Sequence, residues 1–213
     1  DAYRFDLASA ARQVLGNYSA EVHRQVIEAW RAKDRPKLQA ASQQMLTLIR
    51  DLDALLATRS EYLLGRWIED ARRWGATPQE RDRLEWNARR VLTMWGEGPQ
   101  IRDYSRREWA GMLDGYYLKR WEKFLAALDA ALAAGASFDE GAFDKDLQNW
   151  ERQWASQHEP YATRPRGDTV AVSRRLWTKY GQVLTQATSG QLPTATLRRA
   201  PTLQFRGANS EAP

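Results

Sequence analysis

Apolar residues recur every three or four positions along almost the whole chain, and that period admits helices and little else. Between Phe5 and Trp30 the residues Leu7, Ala11, Val14, Leu15, Tyr18, Val22 and Val26 fall on one helical face. Asp34-Arg35-Pro36 breaks the run, with Pro36 suited to the first turn of a second helix carrying Leu38, Ala41, Met45, Leu48, Leu52, Leu55 and Leu56. Ser60 is placed to cap a third helix, Glu61 to Trp74, which Gly75 ends. Thr77-Pro78-Gln79-Glu80 combines a cap, a first-turn proline and a glutamate that reaches back, so a fourth helix starts there and runs to about Met94. Trp95-Gly96-Glu97-Gly98-Pro99 cannot continue it. Helical spacing resumes from Tyr104 to Gly135 and again from Phe138 to Trp154, with Asp139 as a candidate cap of the latter. Residues 161–167 read as a loop, and a last helix begins at Asp168 or Thr169. After Gln186 the periodicity fails and Ser, Thr, Pro, Gly and Arg take over. The reading is an all-α bundle of about seven helices over residues 1–186, followed by a disordered tail, 187–213.

Composition narrows the function classes. The net charge of +5 is spread as interspersed acids and bases, and part of it sits on Arg198, Arg199 and Arg206 near the C-terminus. A nucleic-acid binder concentrates its charge on one face, so no nucleic-acid partner is expected. No apolar run is long enough to span a membrane. The absence of cysteine removes disulfide and thiol chemistry. Asp1 in place of an initiator Met reads as a fragment or a processed product, with any signal peptide lying upstream. Ten tryptophans are unusual for 213 residues; most must be core, and some are free to stack on the C–H faces of sugars.

A search for chemistry returns little. His23 and His158 sit in no ligand-spaced cluster and read as surface or capping histidines, so neither a metal nor a cofactor is expected. No nucleophile elbow or phosphate loop occurs. Glu69, Asp70 and Glu85 lie on helices beside arginines, where ion pairing explains them better than catalysis. Arg166-Gly167-Asp168 fits a turn followed by a helix start. The segment from Trp95 to Tyr104 is the best local candidate. Its glycines allow close approach, Trp95 and Tyr104 offer aromatic platforms, Ile101 an aliphatic wall, and Asp103 a hydrogen-bond acceptor or helix cap. On residue chemistry alone it is equally a core plug or a ligand wall.

At this segment a family resemblance enters. Trp95-Gly96-x-Gly98-x-x-Ile101-x-Asp103-Tyr104, then Trp109-Ala110-Gly111 and Tyr116-Tyr117-x-x-Arg120-Trp121, resembles the C-terminal helical domain of the α-N-acetylglucosaminidases, glycoside hydrolase family 89. Residues 57–67, Glu85-Trp86-Asn87-Ala88-Arg89 and Pro165-Arg166-Gly167-Asp168-Thr169 resemble it too, in one collinear order from about Asp6 to Tyr180. The resemblance implies a larger enzyme with a small N-terminal domain, a catalytic barrel and this helical domain. That enzyme removes terminal α-linked N-acetylglucosamine with retention, using two barrel glutamates as acid/base and nucleophile. It implies no catalytic residue in this chain, packing against the barrel of the same polypeptide, an N-acetylglucosamine-containing glycan as substrate, and an exported, periplasmic or secreted location. It also implies that Trp95, Ile101 and Tyr104 line the sugar pocket. The chain departs from the family in two respects: a proline common after Trp-Gly is Glu97 here, with Pro99 two positions further on, and the tail beyond Gly181 has no family counterpart. The alternative reading is a non-enzymatic helical module that binds a protein or glycan through its Trp-rich faces.

Overall fold

The computed structural model describes residues 1–96 and 101–188. Among these the chain forms seven α-helices and no strand: α1 (Ala2–Arg31), α2 (Arg35–Leu56), α3 (Leu64–Arg73), α4 (Pro78–Leu92), α5 (Leu118–Ala133), α6 (Glu140–Ala155) and α7 (Thr169–Thr188). A 3₁₀ turn (Ser60–Tyr62) precedes α3, and a π-helical turn (Leu113–Tyr117) leads into α5. The all-α reading holds. Helix α7 extends two residues past the expected boundary at 186, and residues 189–213, within the expected tail, lie outside the described residues.

The punctuation read from sequence works largely as predicted. Thr77 Oγ1 accepts from the Glu80 N–H at 3.2 Å, and the Glu80 carboxylate accepts from Thr77 and Ala76 N–H at 3.1 and 2.8 Å, a complete capping box. Asp34, Asp139 and Asp168 each accept a hydrogen bond from the N–H three residues on.

Two boundaries differ. Ser60 does not cap α3: its hydroxyl goes to the Glu61 carboxylate, and α3 starts only at Leu64. Nor is the chain helical from Tyr104. Residues 105–109 are non-helical, and Ala110 pairs with the 62–64 segment, its N–H donating to Tyr62 O at 2.8 Å and its carbonyl accepting from Leu64 N–H at 3.1 Å. The apolar spacing of Trp109 and Leu113 imitates a helix, but Gly111 takes φ +85° and breaks it. The cap then comes from a distant element: the half-buried Asp53 of α2 accepts from the N–H groups of Gly111 and Asp114 at 2.7 and 3.1 Å.

Two apolar cores result. The larger joins α1, α2, α5 and α7 through Leu15, Val22, Met45, Leu48, Leu55, Trp121, Leu125, Leu176 and Tyr180. The smaller lies beneath α3, α4 and α6 around Leu64, Ile68, Leu92, Met112, Tyr116 and Trp154. Tyr117 packs against both. Full burial of an indole such as Trp154 is worth roughly 4–6 kcal/mol by area, an upper value.

Candidate functional site

The loop that follows α4 is pinned at both ends in a conformation disfavoured for its residues. Trp95 (φ 59°) and Asp103 (φ 62°) are left-handed without being glycine. Backbone hydrogen bonds impose this: Trp95 N–H donates to Arg90 O and Asp103 N–H to Thr93 O, both at 2.7 Å, and Tyr104 N–H donates to Ile101 O at 3.1 Å. The two limbs are thus tied across the end of α4.

Three large apolar side chains face solvent here: Trp95 is 44% exposed, Ile101 40% and Tyr104 74%. The indole and phenol rings meet edge to face, with centroids 5.2 Å apart. A Cβ placed on Gly96 would lie 3.4 Å from Ile101 Cδ1, so the glycine lets the isoleucine sit against the loop backbone. The three residues singled out from sequence therefore occupy one outward-facing corner. Glu97 and Pro99, where the chain departs from the family pattern, lie outside the described residues.

Asp103 is an acceptor, but of a buried guanidinium rather than of ligand hydroxyls, and it caps no helix among the described residues. It is 6% exposed, and both its carboxylate oxygens lie 2.8 Å from Arg120 Nη1 of α5. Arg120 Nε lies 3.2 Å from Glu151 Oε1 of α6, and Arg102 Nε lies 3.0 Å from Glu151 Oε2. Arg102 also donates to Asp144 at 2.8 Å, and the Tyr116 hydroxyl donates to Glu151 at 2.9 Å. Burial alone would favour a neutral Arg120, but Tyr116, Asp103 and Glu151 outweigh it and raise the guanidinium above its ordinary value. Burial pushes the Glu151 carboxyl up, against the pull of Arg120 and Arg102, and pushes the Tyr116 phenol well up. Arg102, Tyr116, Arg120 and Glu151 were not singled out individually from sequence. The available signal was a charge inside an apolar stripe: Glu151 follows Phe143 and Leu147 at helical spacing and precedes Trp154.

A second cleft, of about 830 Å³, lies between α3, α4 and residues 158–163. Glu85 lies at its edge, 3% exposed and ion-paired as expected. It accepts from Arg89 at 2.7 Å, from Arg72 at 2.6 Å, and lies 3.2 Å from His158 Nδ1. Arg89 is fully buried between the Trp154 and Tyr161 rings. Burial would raise the Glu85 carboxyl, but Arg89, His158 and Arg72 hold it below the usual carboxylate range. Asp82, Glu85 and His158 lie close enough together for a metal, yet Arg72 Nη1 already bridges the two carboxylates at 2.8 and 2.6 Å. Glu69 and Asp70 pair with Arg73 in solvent. His158 is exposed, as the surface reading has it, and meets Glu85; His23 departs from that reading, half-buried and edge-on against Trp121, where burial lowers its pKa.

The fold and corner define a helical domain that carries an exposed aromatic corner at the end of α4. Comparison with known proteins gives the family. The model of the α-N-acetylglucosaminidase (NAGLU) C-terminal domain matches residues 1–179, and the chain belongs to that family. It is similar to human α-N-acetylglucosaminidase, 34% identical over 180 residues, which cover 84% of this chain and 24% of that protein. It is also similar to the family 89 glycoside hydrolase of Clostridium perfringens. That structure, in complex with 2-acetamido-1,2-dideoxynojirmycin, matches with TM-score 0.75 and 30% identity over 84% of this chain and 21% of the other. The same enzyme carrying two Glu-to-Gln substitutions, in complex with its substrate GlcNAc-α-1,4-galactose, matches equally. The chain thus spans about a quarter of the length of the relatives it matches.

Proposed function

We propose that this chain serves as the C-terminal helical domain of a retaining glycosidase that releases terminal α-linked N-acetylglucosamine, packing against the catalytic barrel of the same polypeptide and walling one side of the sugar pocket. Trp95, Ile101 and Tyr104 form that wall. They contribute position and water exclusion, while proton transfer and nucleophilic attack belong to the barrel. The observation that carries the reading is the outward corner of Trp95 and Tyr104, in a chain of this family whose other candidate acids are occupied in ion pairs. An edge-to-face aromatic pair offers a flat apolar surface to a pyranose ring, and Ile101 closes one side. Exposed Trp74 and Trp177, and an apolar cleft of about 740 Å³ between α1 and α5, supply further surface for a covering body. We place the enzyme in the periplasm or outside the cell; fractionation of cells producing the whole polypeptide tests this. No helix among the described residues is long and apolar enough to cross a membrane.

Kinetics test the wall. In the complete enzyme, Trp95→Ala raises KM or lowers kcat for an aryl α-N-acetylglucosaminide while the thermal midpoint holds. Unchanged kinetics remove these residues from the pocket. The chain on its own gives no turnover, and measurable hydrolysis by it would refute the division of labour.

A further inference from the structure

Side chains on the return limb of the loop divide between two directions. Ile101 and Tyr104 point to solvent, while Arg102 and Asp103 between them turn inward. The inward pair is held by two helices and the π-helical turn: Arg120 from α5, Glu151 and Asp144 from α6, and Tyr116 from the turn. Glu151 has no exposed surface and Arg120 is 4% exposed, so neither can touch a ligand. A network of this kind is a weak source of stability, because desolvation roughly cancels the Coulomb gain and apolar residues of equal volume would anchor a loop as well. What it supplies is direction. One guanidinium nitrogen engaging both oxygens fixes a single pose of Asp103, whose left-handed backbone persists only where the surroundings over-determine it.

We propose that Arg120 and Glu151, acting through Asp103 and Arg102, are positioning residues that hold the Trp95–Ile101–Tyr104 wall in its ligand-binding geometry before the sugar arrives. This rests on the reading that the wall lines the pocket. A preformed wall spares the ligand the cost of selecting one loop conformation from several, so its loss appears as weaker binding. The backbone is consistent with the same division: Tyr116, which donates to Glu151, lies in the π-helical turn, and such insertions often accompany functional sites.

The decisive variant is Asp103→Asn in the complete enzyme. Asparagine keeps the size and tolerates left-handed backbone, but gives up the charge. KM for an aryl α-N-acetylglucosaminide is expected to rise about tenfold, as if the wall were competent a tenth of the time, with kcat changed less than about threefold. In a Trp95→Ala/Tyr104→Ala background the same substitution is expected to leave KM where that background sets it, since no wall remains to be positioned. If Asp103→Asn fails to fold, Tyr116→Phe, which deletes only the hydroxyl on Glu151, is expected to raise KM by about two- to threefold. An unchanged KM in a folded Asp103→Asn or Tyr116→Phe enzyme overturns the proposal. So does an equal rise in KM with and without the wall, which marks a general structural defect. If the wall-less background itself keeps the parent KM and kcat, the pocket reading fails and this inference falls with it.

Discussion

Gly65 sits in the first turn of α3, where two effects of opposite sign compete. Alanine is the better helix former by about 1 kcal/mol, so Gly65→Ala should stabilise the helix on propensity alone. Yet a Cβ there would lie 2.4 Å from Ala162 O and 2.6 Å from Tyr161 O, about 1 Å inside an ordinary contact. The obstacles are backbone atoms, which no rotamer change removes. Nor can residues 159–167 simply step back. Arg89 holds Glu159 O at 2.9 Å, and Arg166 N–H donates to Ala57 O at 2.8 Å. The Tyr161 side chain fills space left open by Gly111 and Gly115, where a Cβ would fall 2.8 Å from its ring and 2.7 Å from its hydroxyl. Overpacking of this kind costs about 3 kcal/mol at the upper end of its range, so sterics outweigh propensity and a net loss of about 2 kcal/mol is expected. For a domain of this size that lowers Tm by about 4–8 °C. Gly16 is the internal control: in mid-α1 with nothing within 4 Å of an added Cβ, its replacement by alanine should raise Tm by about 2–4 °C. Both are read by thermal denaturation of this chain followed by far-UV circular dichroism. A Gly65→Ala variant at or above the parent Tm refutes the packing argument, and a Gly16→Ala variant below it refutes the propensity argument.

Three further outcomes follow from the same contacts. Thr77→Ala removes the capping box of α4 and should cost about 1 kcal/mol, lowering Tm by about 2–4 °C; an unchanged Tm would mean that α4 starts without its cap. Glu85 has its carboxyl held low by Arg89, His158 and Arg72 against burial, so its contribution is present above the unfolded carboxylate pKa of about 4.3 and is lost as pH falls through the folded value. Glu85→Gln should therefore destabilise by about 3–5 kcal/mol at pH 7, leaving Arg89 buried without its partner, and the gap to the parent in urea midpoints should narrow toward pH 3; a gap constant with pH contradicts the assignment. His23 is held neutral by burial, so stability is complete above its unfolded pKa of about 6.5 and falls as pH drops below it; NMR titration should place the imidazole midpoint below that value, and a midpoint at or above it would show that the ring is solvated.

Much of the fold was legible because its signals are local. Caps at Asp34, Thr77 and Asp139 are satisfied within three residues, and the apolar stripes of α1 and α2 need only a period. The failures fall where a local pattern was answered from far away. Trp109 and Leu113 keep helical spacing across a stretch that is not helix, because the start of the π-helical turn is set by Asp53, 58 residues from Gly111 in sequence. Ser60 had the composition of a cap but lost the contest to a parallel bridge between Leu63 and Ala110.

The candidate site divides along the same line. Its outward residues were visible as an aromatic cluster beside two glycines. The inward half was hidden, because Asp103–Arg120, Tyr116–Glu151 and Arg102–Asp144 join positions 17, 35 and 42 apart. No periodicity carries such pairings, but a buried charge leaves a trace where it lodges in an apolar run. Arg120 stands between Tyr116 and Trp121, Glu151 between Leu147 and Trp154, and Arg89 beside Ala88 and Leu92. A helix stripe broken by a charge in this way demands a buried partner, since an unpaired buried charge would cost more than the stripe contributes. Arg120 and Arg89 each meet that demand with a buried carboxylate, Asp103 and Glu85. Only the first of these carboxylates belongs to the loop whose outer side chains face solvent, and that difference is what makes one network a positioning device and leaves the other a fastening within the fold.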